Sequence, residues 1–324
     1  MTLTNAATPG VEPAPLFLKR GEERRLAAGH LWVFSNEIDT ARSPMTAFSP
    51  GDPVRILTDR DRFVGYGYVN PHSLIAARIL GRDPAHPPGK SLLVHRLQVA
   101  LSLRRRLYER PYYRLVHGES DALPGLVVDR YGDVLVAQIG TAGMERLKDE
   151  IAAALTKVLK PAVLVWKNDS AARTMEQLPG YVEAAVGEIP ETVEVEENGV
   201  RFEVPIATGQ KTGWFYDQVA NRAAFLKYVP GARVLDVFSY LGAWGLGALK
   251  AGAAEATCVD SSEPALAALV RTAAANGLNV TTEHGDAFDV LEGLHEERRR
   301  FDVVVIDPPA FIKRKKDVPK GEAA

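Results

Sequence analysis

Predicted strands and helices alternate in the second half of the chain. Two helices are expected there, at 243–250 and at 263–276, and Gly252 and Gly277 follow them as stop signals. The second helix begins after Ser261 or Ser262 as its N-cap. The strands are predicted at 234–238, 256–259, 280–284 and 303–306. This alternation predicts an α/β fold with a parallel sheet.

The first part of the chain has a different pattern, with short strands broken by glycine and proline. Strands are predicted at 32–34, 53–57, 62–69 and 73–80, after a short helix at 22–28. Several short strands of this kind indicate a small β-barrel, which we place at 16–82. Residues 1–15 are predicted to be a disordered tail, and the proline-rich stretch 83–90 a linker.

Helices and hairpins are mixed between these two parts, so that 91–205 is predicted to be a central α+β domain. The Asn198-Gly199 pair strongly favours a type I′ turn between two strands. The remaining elements are predicted as helices at 92–110 and 144–159, a hairpin at 125–139 and a strand at 163–166.

Four aspartates follow the strands of the predicted parallel sheet. Asp236 lies inside the first strand, and Asp260 ends the second. Asp286 and Asp307 come just after the third and fourth strands. The carboxyl ends of parallel strands meet at one edge of a sheet, where such folds bind ligands. There Asp260 can accept hydrogen bonds from both hydroxyls of a ribose, and Asp286 can accept one from an adenine amine.

The turn between the first strand and its helix favours one cofactor over another. Its glycines, Gly242, Gly245 and Gly247, do not follow the G-x-G-x-x-G order of dinucleotide-binding folds. Asp236 would repel a pyrophosphate, whereas it suits the sulfonium and amino groups of S-adenosylmethionine. A dehydrogenase is therefore the weakest interpretation of this turn.

The segment 307–311 has the chemistry to hold a flat heterocycle. Asp307 and the free carbonyls can accept hydrogen bonds from an exocyclic amine, and the ring of Phe311 can stack on the base. Pro308 and Pro309 stop the strand and stiffen the backbone there. The simpler alternative is a strand end with a proline stop and a core phenylalanine.

These segments, taken in order, resemble one family. Residues 208–218, with Asn221 and Arg222, resemble the K-T-G-x-F-x-D-Q-x-x-N-R block of the class I ribosomal RNA large-subunit methyltransferases, which make 5-methylcytosine. The similarity runs from about residue 16 to the last residue. The other segments that carry it are 117–133, 236–242, 285–288 and 307–311.

The resemblance implies an N-terminal PUA-like β-barrel that binds RNA, the central α+β domain and a C-terminal Rossmann-like methyltransferase domain at 206–324. It implies S-adenosylmethionine as cofactor and ribosomal RNA as partner. The residues implied for the cofactor are Phe215, Asp217, Gln218, Asp236, Ser239, Tyr240, Gly242, Asp260, Asp286, Ala287 and Phe288. The residues implied for the target base are Asp307, Pro308 and Phe311.

The chain departs from the family in its cysteine. Methylating C5 of cytosine needs a thiolate that adds at C6, and in the family this cysteine follows the strand after the Asp-Pro-Pro motif. The only cysteine here, Cys258, lies within the second strand and is expected to be a core residue. We therefore expect the nucleophile beyond residue 324, only the first half of the sheet in these residues, and no turnover by this fragment alone.

Two rival functions stay open at this point. Asp307-Pro308-Pro309 also resembles the motif of enzymes that methylate an amino nitrogen, which attacks directly and needs no cysteine. A protein that binds RNA or assists assembly, and keeps the fold without catalysis, is the other.

Composition agrees with a globular cytoplasmic enzyme. The 324 residues are 46% hydrophobic and 25% charged, with one cysteine, no apolar run long enough to span a membrane and no metal site expected. The net charge is −2, so RNA binding must rely on local basic clusters. We assign these to Lys19, Arg20, Arg24, Lys313, Arg314, Lys315 and Lys316. Whether the protein forms a homodimer is left open.

Overall fold

The computed structural model describes residues 12–309, so Phe311 and the basic cluster 313–316 lie outside the described residues. Contacts within the chain divide it into two units. The first unit comprises 1–191 and 206–214, and the second comprises 192–205 and 215–324.

The N-terminal sheet of the first unit has five strands in the order β1-β3-β4-β5-β2. Only β1 and β3 pair in parallel, and the other neighbours are antiparallel. Leu16, Leu18, Val54 and Ile56 are fully buried in its core. The elements are β1 (Ala14–Phe17), α1 (Glu23–Ala27), β2 (Trp32–Val33), β3 (Asp52–Leu57), β4 (Phe63–Val69) and β5 (Ala77–Gly81).

A second five-stranded sheet follows, in the order β10-β9-β8-β7-β6. Strands β8 and β9 are parallel, and the two long helices α2 and α4 pack against each other beside the sheet. The helix predicted at 144–159 is two helices, because the backbone at Leu147 has ψ 10° and leaves the helical path. The elements are α2 (Lys90–Leu107), β6 (Tyr112–His117), β7 (Leu126–Tyr131), β8 (Val134–Ile139), α3 (Ala142–Arg146), α4 (Lys148–Leu159), β9 (Val163–Asn168) and β10 (Tyr181–Val186).

Buried polar contacts join the two sheets of the first unit. Glu176 pairs with Arg78 at 3.0 Å and accepts from Asn70 Nδ2 at 2.7 Å. The Tyr68 hydroxyl donates to the Pro124 carbonyl at 2.7 Å. Because these groups are buried, losing any one partner would leave the others unsatisfied, which couples the two sheets.

The second unit is built on a parallel sheet of four described strands in the order β15-β14-β13-β16. Chain order runs one way from β13 to β15 and then reverses to β16, so the switch point lies between β13 and β16. Its elements are β11 (Thr192–Glu197), β12 (Val200–Pro205), α5 (Val219–Phe225), β13 (Arg233–Val237), α6 (Ala243–Lys250), β14 (Glu255–Asp260), α7 (Glu263–Ala275), β15 (Thr281–His284), α8 (Ala287–Glu296) and β16 (Val303–Ile306). The predicted α/β architecture, with a barrel-like sheet, an α+β region and a parallel sheet, is confirmed.

The hairpin of β11 and β12 differs from the predicted boundary at 205/206. Its turn has the expected left-handed pair, with φ 52° at Asn198 and 76° at Gly199. Its contacts, however, place it with the second unit. Asn276 accepts from the Arg201 amide at 2.9 Å and donates to the Arg201 carbonyl at 2.8 Å, so the side chain acts as an extra strand partner.

Among residues 12–309, no helix combines the length and the apolar character that crossing a bilayer requires.

Candidate cofactor-binding site

The turn after β13 forms the centre of the site. Three of its residues have left-handed backbones, with φ 66° at Phe238, 49° at Tyr240 and 77° at Gly242. A Cβ at Gly242 would lie 2.6 Å from the Leu269 side chain, so only glycine fits. Left-handed non-glycine residues cost free energy and cluster at ligand sites. The turn therefore holds its backbone tightly against the switch point of the sheet.

Asp236 is fully buried beneath this turn. Its Oδ2 accepts from the Gly245 amide at 2.9 Å, while its Oδ1 has no hydrogen-bond partner among the described residues. The Ser239 hydroxyl is likewise buried without a partner there. Burial raises the Asp236 pKa to about 7, and the nearby Asp260 and Asp307 add to the effect. Within the described part of the chain, the Asp236 carboxylate lacks a partner for Oδ1, and a cationic ligand can supply one. The residues therefore fit S-adenosylmethionine, which carries a sulfonium and an amino group.

The raised pKa of Asp236 predicts a pH-dependent stability. Its pKa rises from 3.8 to about 7 on folding, so the folded chain holds a proton that the unfolded chain releases. The contribution to stability is complete below about pH 4 and is lost as pH rises to about 7, in total about 4 kcal/mol. We expect the urea midpoint of the wild type to fall across this window relative to Asp236→Asn. Parallel profiles of the two proteins would contradict this assignment.

Asp260 ends β14 at the same edge of the sheet. Its Oδ2 accepts from the Tyr240 amide at 2.7 Å, and its Oδ1 accepts from the Ser262 amide at 2.9 Å. The Ser262 hydroxyl caps α7, one of the two serines that the sequence offered for this position. These two bonds fix the carboxylate while each oxygen keeps a further lone pair, which suits a pair of ribose hydroxyls.

Asp286 is the N-cap of α8, where its Oδ1 accepts from the Phe288 amide at 2.9 Å. Its side chain is exposed, Ala287 is buried, and the Phe288 ring is 45% exposed. The cap leaves Oδ2 as an acceptor, and the half-exposed ring offers a surface for stacking. Both features suit an adenine, although no bond among the described residues joins Asp286 to the other acids.

Asp307 lies directly after β16, on the other side of the switch point. Its Oδ1 accepts from Gln218 Nε2 and its Oδ2 from Trp244 Nε1, both at 3.4 Å. The structure thus brings together Asp307 and Gln218, which the sequence assigned to target base and cofactor. These long bonds hold the carboxylate loosely. The sequence analysis did not identify Trp244 as a site residue. Its position in the first turn of α6, directly after the cofactor turn, could have indicated it.

Phe215 and Tyr240 also meet, with their rings perpendicular and the centroids 5.7 Å apart. Arg222 fixes the backbone of Phe215, because its Nη2 donates to the Phe215 carbonyl at 2.9 Å. The same guanidinium forms a buried ion pair with both oxygens of Glu197. Glu197 was missed because it lies 25 residues away with no local motif to mark it.

Other residues predicted for the site or for RNA are exposed. Asp217 and Pro308 are exposed and carry no described side-chain contact. Lys19, Arg20 and Arg24 are exposed in the first unit, and Lys19 Nζ donates to the Asn36 carbonyl at 2.7 Å.

The fold and the site define a class. The described edge of the sheet has the switch point, the tight turn and the acids that an S-adenosylmethionine-dependent methyltransferase needs. Family models agree: a PUA-like domain matches residues 16–82, and an S-adenosylmethionine-dependent methyltransferase matches 170–318.

The relatives identify the family more closely. Ribosomal RNA large subunit methyltransferase I of Photobacterium profundum is 37% identical over 307 residues, and that of Aeromonas hydrophila is 38% identical over 311. Each match covers 93% of this chain and 77% of the relative. The chain belongs to the ribosomal RNA large subunit methyltransferase I family, and its cofactor is S-adenosylmethionine.

Solved structures share the fold. A methyltransferase complexed with S-adenosylhomocysteine superposes with a TM-score of 0.79 at 23% identity, covering 94% of this chain and 78% of that one. A methyltransferase from Streptococcus mutans gives a TM-score of 0.78 at 22% identity, covering 96% of this chain and 82% of that one.

Proposed function

We propose that this chain methylates a base of large-subunit ribosomal RNA, at C5 of a cytosine. The observation that carries the proposal is the pairing of two acids across the switch point. Asp236 is buried with one unsatisfied oxygen on β13, and Asp307 is half-buried at the end of β16. One is suited to a cation and the other to the amine of a base.

Each residue has a separate role in this proposal. When bound, S-adenosylmethionine supplies an electrophilic methyl group. Asp236 and Ser239 would face its methionine part, Asp260 its ribose, and Asp286, Ala287 and Phe288 its adenine. Asp307 would accept from the exocyclic amine of a base that has left its stack, because a stacked base does not expose the target atom.

The C5 reaction also requires a thiolate. It adds to C6, C5 then takes the methyl group, and loss of the C5 proton expels the sulfur. Cys258 is unsuited to this role, because it is fully buried and its Sγ lies 3.9 Å from Asp236 Oδ2. Burial also raises the pKa of its thiol well above the ordinary value. The proposal therefore needs a cysteine from outside these 324 residues.

Labelled methyl transfer tests the function. The enzyme made from its natural reading frame would be mixed with labelled S-adenosylmethionine and large-subunit ribosomal RNA, and the modified nucleotide mapped. The expected product is 5-methylcytosine, with a stable covalent adduct on RNA that contains 5-fluorocytosine. Methyl transfer to another RNA or to none would overturn the proposal.

Methylation of an amino nitrogen is the second candidate. It is favoured by the burial of Cys258, because a nitrogen nucleophile needs no thiol, and by Asp307 standing next to Pro308. Its product would carry the label on an exocyclic nitrogen, and 5-fluorocytosine RNA would form no adduct.

Removing the Asp260 carboxylate should weaken cofactor binding. Asp260→Ala is expected to cost about 1–3 kcal/mol of binding free energy, the usual loss for a charged hydrogen-bond acceptor. Calorimetry with S-adenosylhomocysteine measures it. Asp260→Asn keeps an oxygen for the Tyr240 amide and separates ribose binding from damage to the turn, and Asp289→Ala, an exposed acid on α8, is the control. Unchanged affinity in Asp260→Ala would remove the ribose assignment.

RNA binding is assigned, as part of the same proposal, to the exposed cations Lys19, Arg20 and Arg24. Exposed cations on an otherwise weakly acidic chain contact phosphates without reading sequence.

A further inference from the structure

A cavity of about 300 Å³ lies in the first unit, and none of the residues assigned to the cofactor or the target base lines it. It opens where the parallel strands β8 and β9 end and β7 begins. Its walls include three glycines, which leave the space unfilled. Polar side chains on its lining include His117, Glu119, Ser120, Gln138, Lys167 and Arg173.

Each cation on the cavity wall already has a carboxylate partner, while the buried Arg173 Nη2 has no hydrogen-bond partner among the described residues. Lys167 Nζ donates to Asp169 Oδ2 at 2.9 Å and to the Ala207 carbonyl at 3.0 Å. Arg173 donates through Nη1 to Glu145 at 3.0 Å and through Nε to the Pro179 carbonyl at 2.9 Å. Since each cation has its own carboxylate, the cavity does not have the spare positive charge that a phosphate requires.

The neutral groups are different. The side chains of Gln138, Ser120 and His117 have no hydrogen-bond partner among residues 12–309. Gln138 is half-buried on β8, whereas Ser120 and His117 are exposed at the opening. The cavity thus presents an amide with N–H donors beside an acceptor oxygen, a hydroxyl that can donate or accept, and an aromatic face.

We infer that this cavity binds an unstacked nucleobase of the RNA, in addition to the base that is methylated. An amide matches the adjacent donor and acceptor on a base edge, and an imidazole can stack on the ring. Single bases splayed from RNA are recognised by this combination of stacking and edge contacts. The inference rests on the proposed RNA substrate and adds a second base-binding site to it.

Nucleoside binding gives the first test. The protein is saturated with S-adenosylhomocysteine, so that the cofactor site is closed to adenosine, and titrated with the four nucleosides or with inorganic phosphate. The imidazole signal of His117, assigned with His117→Gln, is followed by NMR. At least one nucleoside should shift it, and Gln138→Ala should remove the shift. A response to phosphate alone, or to nothing, would overturn the inference.

RNA binding gives the second test. Gln138→Ala, and Ala172→Trp to obstruct the opening, should each weaken binding of a large-subunit ribosomal RNA fragment about tenfold, the size of one good base contact. Gln98→Ala, an exposed glutamine on α2, is the matched control and should leave it unchanged. Melting temperature and S-adenosylhomocysteine affinity should stay at the wild-type values in all three.

The two tests separate this inference from the proposed function. If both cavity variants bind and methylate ribosomal RNA as the wild type does, the cavity inference is wrong and the function stands. If a nucleoside binds in the cavity but no RNA does, the site serves a free nucleoside and the inference about RNA is wrong. If RNA binds through Gln138 but is never methylated, the proposed catalysis is wrong and the base pocket stands.

Discussion

Asp307→Ala is expected to remove nearly all methyl transfer while S-adenosylmethionine still binds. Among residues 12–309, its carboxylate accepts only two long bonds, from Gln218 and Trp244, so its loss should disturb the fold little. If it holds the amine of the target base, turnover should fall by about 100- to 1,000-fold, as when one group that stabilises a transition state is removed. Single-turnover methylation and calorimetry with S-adenosylhomocysteine measure the two effects separately.

Two further variants sharpen this experiment. Trp244→Phe removes the indole donor to Asp307 and keeps an aromatic side chain, so it should reduce turnover far less than Asp307→Ala. Asp307→Asn keeps one acceptor and should lie between them. Equal loss of cofactor affinity and turnover in Asp307→Ala would show that the acid shapes the cofactor site instead of holding the base.

Arg222→Met should destabilise the second unit by about 3–5 kcal/mol, because it removes the guanidinium that pairs with both oxygens of the buried Glu197 carboxylate. The two side chains are only 3% and 8% exposed. The guanidinium also holds the Phe215 carbonyl, so cofactor affinity should fall together with stability. Urea denaturation followed by tryptophan fluorescence gives the loss of stability.

A surface ion pair of the same unit provides the matched control. Arg233 and Asp302 are 44% and 50% exposed, and ion pairs between solvent-exposed side chains contribute little to stability. Arg233→Met should therefore change stability little. The double variant Arg222→Met with Glu197→Leu should recover much of the loss. A cost for Arg222→Met no larger than that for Arg233→Met would contradict the account of the buried pair.

The parallel sheet could be predicted closely from the sequence. The strand at Val303–Ile306 and the helix at Ala243–Lys250 begin and end where expected, because a continuous apolar run and a glycine stop mark them locally. The turn at Asn198-Gly199 could be predicted for the same reason, because the residue pair itself favours the turn. The ends of such elements can be predicted from the residues next to them, without knowledge of the tertiary structure.

Features that depend on distant partners could not be predicted. Nothing in the pattern joins Glu197 to Arg222, or Trp244 to Asp307, since each contact forms only when separate elements meet. The break at Leu147 was not predicted either, because the composition of 144–159 is typical of one continuous helix. The sequence placed the acids at one edge of the sheet, while their hydrogen-bond partners required the structure.

The hairpin at 192–205 has a consequence for synthesis and for engineering. The chain leaves the first unit after 191, returns for 206–214 and leaves again, so neither unit is one continuous piece of sequence. During translation, the first unit lacks its last residues until the hairpin of the second has emerged from the ribosome. No single recombination point or proteolytic cut can separate the units cleanly, and exchange of the catalytic half between homologues requires at least two junctions.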